Sequence, residues 1–156
     1  MKIEIDQSGK LENTNISTVV GFSNGKCKTI IISSTEKIKL QKYFRKIGKR
    51  QIFVYFSFAA TIYLLLKSER NINEICIDIE YPGQTHLIKS FLLQLFLRTK
   101  RNIDKNSFHF YCIGRKSKAH IISINAFNLK CADIRITSKD IISLYHKQKI
   151  GYLMDA

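Results

Sequence analysis

Proline, glycine and acidic side chains are what this chain has least of. One Pro and seven Gly in 156 residues exclude collagen-like and proline-rich classes. Asp and Glu number 12 against 26 Lys and Arg, a formal net charge of +14. The four cysteines, Cys27, Cys76, Cys112 and Cys131, form no C-x-x-C pair and no zinc-finger spacing with histidine. Three of them lie in or beside apolar runs, and all four read as structural thiols of a reducing, cytoplasmic compartment. The start, Met1-Lys2-Ile3-Glu4-Ile5-Asp6, alternates and carries acids, so it does not read as a signal peptide. No uncharged apolar run reaches the about 20 residues of a membrane span. The strongest candidate, 52–66, is closed by Lys49 and Arg50 before it and Lys67 and Arg70 after it. It reads as a buried helix, with an interfacial segment or a homodimer face as the alternatives. There is no G-x-S-x-G, P-loop or G-x-G-x-x-G motif.

What is present is 45% hydrophobic, enough for a real core in a single domain over 1–156. The charge excess points to an anionic partner. Nucleic acid leads, an anionic membrane surface follows, and solubility alone is the bland explanation.

Residues 2–6 alternate as a half-buried strand with its acids on one face. Residues 16–22 are rich in β-branched side chains. Asn24-Gly25 is a hairpin signal, and 28–33 is the returning strand, so the chain opens with three antiparallel strands. Ser34 or Thr35 caps a helix that Gly48 ends. The stretch from 50 to about 69 reads either as one long buried helix or as a short strand over 52–56 followed by a helix, and its length favours the helix. Residues 74–81 alternate again and are broken by Pro82-Gly83. A helix over 85–98, a strand over 108–113 and a helix over 118–129 follow. Residues 134–136 read as short and irregular. A last helix is capped by Thr137 or Ser138 and frays from Gly151. The order predicts an α/β fold, a mixed five-stranded sheet flanked by helices.

Carboxylates on strands need a reason in so basic a chain, because strand Asp is disfavoured. Asp6 ends the first strand. Asp78 lies inside the fourth, and Glu80, two residues on, is expected on the same strand face. Two acids on neighbouring strands repel and attract a hard divalent cation. The bland reading, solvent-facing acids paired with lysines, is the stronger one from spacing alone. His120 begins a helix after the fifth strand. His86, His109 and His146 read as surface or satisfied histidines.

The order of Ile5-Asp6-Gln7-Ser8-Gly9, Asp78-Ile79-Glu80-Tyr81 and Ala119-His120 resembles the ribonuclease H-like fold. There the first strand ends in a catalytic Asp, the fourth carries a second, and a late helix supplies the last ligand. Piwi domains of argonautes place a His there. Segments 77–83 and 113–120 also resemble a small archaeal family of ribonuclease H-like proteins. The resemblance implies Asp6, Asp78 and His120 as metal ligands, with Glu80 joining them or orienting one. It implies Mg²⁺ or Mn²⁺, and metal-assisted phosphodiester hydrolysis with one or two ions. The chain departs from the family in lacking an obvious acid in its first helix, where Glu36 reads as a helix-dipole partner. Asp133 and Asp140 are the alternative late acids.

The bases fit such a site. Arg115, Lys116 and Lys118 precede His120, and Arg98, Lys100, Arg101 and Lys105 form a basic loop. A further basic group, Lys42, Arg45, Lys46, Lys49 and Arg50, lies at the end of the first helix. Arg115, Lys116 and Lys118 would stand beside the site and hold phosphates, and Arg98, Lys100 and Arg101 are further nucleic-acid-binding candidates, against the bland reading that these bases are solvated helix and loop faces. Tyr81, Phe108 and Tyr111 are candidates for stacking on bases, although strand aromatics are more often core. The expected function is a metal-dependent nuclease acting on DNA or RNA, single-stranded substrates first, with a single-strand exonuclease as one form. A non-catalytic nucleic-acid-binding protein on the same scaffold is the alternative, and no membrane partner is expected.

Overall fold

The computed structural model describes residues 2–99, 101 and 103–154, with 148–154 described by backbone alone. Strand β1 (Lys2–Ser8) stops at Gly9. Gly9 has φ +79°, and a Cβ there would lie 2.3 Å from the Ser17 carbonyl oxygen. Only glycine makes this exit. β2 (Thr18–Ser23) and β3 (Cys27–Ile32) form the hairpin that Asn24-Gly25 announces. Gly25 has φ +96° and the Asn24 side chain accepts the Lys26 N–H. Helix α1 (Ser34–Lys46) is capped by Ser33, whose hydroxyl accepts the Glu36 N–H.

Helix α2 (Phe53–Leu66) is apolar on every side and is buried on nearly every side. A helix of this kind belongs inside a core. Each fully buried Phe or Leu contributes about 1.5–3 kcal/mol. This answers the open question about 52–66: α2 is core and offers no free face for a membrane or a dimer. Among the described residues no helix is long and apolar enough to cross a membrane.

β4 (Glu74–Asp78), α3 (Thr85–Leu97), β5 (Phe108–Tyr111), α4 (Lys118–Leu129), β6 (Ile134–Ile136) and α5 (Ser138–Met154) complete the chain. The result is an α/β fold with a mixed six-stranded sheet in the order β5-β4-β1-β2-β3-β6. β1, β2 and β3 are antiparallel neighbours. β4 is parallel to β1, β5 to β4, and β6 to β3. The expected five strands become six because residues 134–136 pair with Ile30, Ile31 and Ile32. β4 stops at Asp78, not at Tyr81, and α5 continues to Met154 past the expected fraying at Gly151. Only Cys76 of the four free cysteines is buried, so the apolar reading of the others fails.

The strand pleat divides the side chains. Ile3, Ile5, Val20, Phe22, Ile30, Ile32, Ile75 and Ile77 enter one core with α1, α2, α3 and α5. The opposite face carries α4, which packs over β1, β2 and β3. A smaller cluster of Val19, Ile31 and Ala126 lies beneath it. The helix approaches closely at Gly21, where a Cβ would meet Ile122 at 3.1 Å and Ser123 at 3.3 Å.

Candidate metal centre

β1 and β4 lie side by side and parallel, with Ile5 opposite Ile77. Asp6 and Asp78 therefore emerge at the same end of the sheet, on the face that α4 covers in part. Asp6 is 4% exposed. Asp78 is half-buried, and its Oδ1 accepts the Ile113 N–H at 2.8 Å. Past Asp78 the chain turns, and this turn brings Glu80 back to the two aspartates. A ligand atom from each of Asp6, Asp78 and Glu80 lies within 4.8 Å of the others. Glu80 reaches this place from a turn, not from the strand face expected of it.

This trio could hold a metal ion. All its donors are carboxylate oxygens, the chemistry that hard divalent cations take. Ligands on opposite sides of Mg²⁺ are about 4.2 Å apart at ligand distances of about 2.0–2.1 Å, so the spacing closes on such an ion with a small inward movement. The electrostatics agree. Burial pushes the Glu80 carboxyl up to about 7, a hydrogen bond with Asp78 and the charge of Asp6 push the same way, and Lys10 opposes them. Crowded acids that resist a third negative charge are stabilised by a cation.

His120 reaches the centre from the first turn of α4. Ser117 caps α4 by accepting the Ala119 N–H, and Ala119 is fully buried, which sets the first helical turn against the sheet. His120 Nδ1 then lies 2.6 Å from Asp6 Oδ2. The structure thus brings the expected histidine onto Asp6, beside the three carboxylates whose ligand atoms lie within 4.8 Å of one another. A pairing of this sort orients a carboxylate ligand.

The other candidate acids are committed elsewhere. Glu36 Oε2 accepts the Ser138 N–H at 2.8 Å at the start of α5, and hydrogen bonds from the Ser138 side chain and N–H hold its carboxyl down at about 2. Asp133 accepts from the Thr29 N–H and hydroxyl. Asp140 accepts from the Thr137 N–H and hydroxyl.

Arg115, Lys116 and Lys118 are exposed beside His120. Arg98 and Arg101 are not in that group. Their guanidinium groups donate to the Leu144 and Leu66 carbonyls, clamping α5 and the end of α2. Their loop leads into β5, at the end of the sheet away from Asp78. Lys100 lies outside the described residues. Tyr81 and Phe108 are 8% and 4% exposed and cannot stack on bases, whereas Tyr111 is exposed at the end of β5 opposite Asp78.

Lys10 carries no signal in the sequence beyond its place in a Gly-Lys turn, yet it reaches the centre. Its Nζ donates to Glu80 Oε2 at 2.7 Å and to the Glu80 carbonyl at 2.8 Å. Comparison with protein-family models, with curated proteins and with solved structures finds no match for this chain. What is defined is an α/β domain with a three-carboxylate centre braced by a histidine, and its chemistry is argued from that geometry.

Proposed function

We propose that the chain is a metal-dependent nuclease of ribonuclease H-like fold, hydrolysing phosphodiester bonds of DNA or RNA. One observation carries this reading: Asp6, within β1, and Asp78, at the end of the parallel neighbour β4, meet Glu80 within 4.8 Å, with His120 on Asp6. The antiparallel β1-β2-β3, the parallel β4 beside β1, and a late helix over the site agree with the fold that the motifs suggest.

Mg²⁺ or Mn²⁺ bound by Asp6, Asp78 and Glu80 would supply activation of water and neutralisation of charge on the phosphoryl group. The chain's own residues do the rest. His120 holds Asp6 in one orientation. The Ile113 N–H holds Asp78, leaving its other oxygen to bind. Arg115, Lys116 and Lys118 offer positive charge to the flanking phosphates, which sets register on the strand without reading sequence. Tyr111 offers a ring to one base.

The test is a panel of single-stranded DNA, single-stranded RNA and hybrid substrates with Mg²⁺ and Mn²⁺. Cleavage by the wild type that Asp6→Asn and Asp78→Asn both lose is the expected result. Cleavage of none of them, with Asp6→Asn indistinguishable from wild type in binding, removes the reading. A second reading, nucleic-acid binding without turnover, draws on one observation: Glu36, the acid at the start of α1, is tied to Ser138 and adds no fourth carboxylate. Oligonucleotide binding without cleavage in the same panel would favour it.

A further inference from the structure

We propose that Lys10 is a catalytic residue of this centre, donating to a non-bridging oxygen of the phosphodiester being cut. The assignment rests on the nuclease reading above. Three observations carry it.

The first is position. Lys10 Nζ is 2.7 Å from Glu80 Oε2, and Glu80 is one of the three clustered carboxylates. The nitrogen therefore stands at the edge of the carboxylate trio, where a phosphate drawn to a cation held by Asp6, Asp78 and Glu80 would come within its reach. Its side chain is 48% exposed, so a polymer reaches it without rearrangement.

The second is the donor count. An ammonium group has three N–H donors. Two go to Glu80, one to Oε2 and one to the carbonyl. The nitrogen also lies 5.0 Å from the centre of the Tyr81 ring, which holds the side chain against that face. The third donor is the one left for substrate.

The third is how firmly the turn is held. Lys37, fully buried, donates to the Lys10 carbonyl at 3.1 Å, the Asn13 carbonyl at 2.6 Å and the Thr18 hydroxyl at 3.0 Å. On the other side the Tyr81 hydroxyl accepts the Leu11 N–H at 3.2 Å and lies 3.0 Å from Gln7 Nε2. The Tyr81 ring is packed edge-on against Tyr55 and Phe58 of α2. Burying a lysine is costly unless it is fully hydrogen-bonded. The pair with Glu80 is lopsided, since the Glu80 side chain is 12% exposed and the Lys10 side chain 48%, so the lysine end stays open to a second partner while its turn is held in place. A lysine that must meet a transition state gains a great deal, because preorganised donors act without reorganising.

The experiment uses the full chain, as wild type, Lys10→Met and Lys10→Arg, at saturating Mn²⁺ on the best substrate of the panel. Calorimetric Mn²⁺ binding and thermal melting are measured alongside. Lys10→Met is expected to lower kcat about 10²–10³-fold, the scale of one lost transition-state donor. Its KM changes much less, and it binds Mn²⁺ at least as tightly as wild type because a competing cation has gone from Glu80. Lys10→Arg is expected to recover part of kcat, and it answers the question if Lys10→Met melts early. Wild-type kcat in Lys10→Met overturns the assignment and leaves the nuclease reading standing. An equal loss in both variants that follows a loss of Mn²⁺ affinity also overturns it, since Lys10 would then serve only to place Glu80. A wild type that binds Mn²⁺ but cuts nothing removes the nuclease reading and this assignment together.

Discussion

Beneath α1, α2, α3 and α5 the sheet presents isoleucine, valine and phenylalanine almost without interruption. On the opposite face the same strands present Glu4, Asp6 and Ser8 from β1, Cys76 and Asp78 from β4, and His109 and Tyr111 from β5, with α4 packed over β1, β2 and β3. Period-two alternation makes both faces at once. The first face accounts for most of the apolar burial. The second has only a small apolar cluster under α4 and holds acids, a histidine and small residues in a geometry that stability alone does not require. Stability and chemistry are thus separated by the thickness of one strand, and variants on the two faces should behave differently.

The largest effect on stability is expected in the first face. Phe56→Ala, at a fully buried α2 side chain, should cost about 3–5 kcal/mol, read by urea unfolding. Ile30→Ala, in the same core, should cost about 2–5 kcal/mol, and Ile31→Ala, in the small cluster beneath α4, should fall at the low end of that range. Comparable losses would mean that the two faces do not differ as described. A second contrast is metal. Mn²⁺ at about 100 times its Kd should stabilise the wild type by about 2.7 kcal/mol, a rise in Tm of several degrees, and Asp78→Asn should abolish the shift. Gly21→Val tests the support of the centre. Its side chain would push on Ile122 and Ser123, costing about 1–3 kcal/mol. It should lower activity more than that loss of stability explains, because His120 rides on the same helix.

The smallest effect concerns acid. Glu36 titrates near 2 in the folded chain against a reference of 4.5. A depressed carboxyl stabilises the fold above its unfolded value, and that contribution fades as pH falls toward the folded one. The advantage of wild type over Glu36→Gln should be full above about pH 4.5 and gone near pH 2. A constant gap across that range would mean that the Ser138 contact does not depend on charge.

Much of this was legible in the residues, and the misses have physical causes. Asn24-Gly25 located the hairpin because the turn needs positive φ. The bounds of α4 follow from Ser117 and the apolar spacing, and agree with the expectation. β6 escaped because three residues show no period of their own, and only pairing with Ile30–Ile32 makes them a strand. Asp6 and Asp78 were found as rare acids on strands, although β1 runs on past Asp6 to Ser8 and β4 stops at Asp78, and Glu80 was placed on a strand face although it reaches the aspartates from the turn after β4. His120 was singled out from its place at the start of the helix after the fifth strand, and the fold sets it 2.6 Å from Asp6. Arg98 and Arg101 looked like phosphate contacts because a basic loop has the same composition when its guanidinium groups clamp carbonyls. Lys10 and Lys37 were invisible, since what they bind is a turn and backbone carbonyls brought near by the fold.

Lys37 has one more consequence. Its ammonium group sits among three oxygens at 2.6–3.1 Å, as a small dissolved cation would sit in a loop that chelates it. Here the cation is tethered to α1, so its effective concentration is that of an intramolecular group and no buffer ion displaces it. The three carboxylates nearby could take an ion from solvent, whereas the positive group that fills this turn is part of the chain itself.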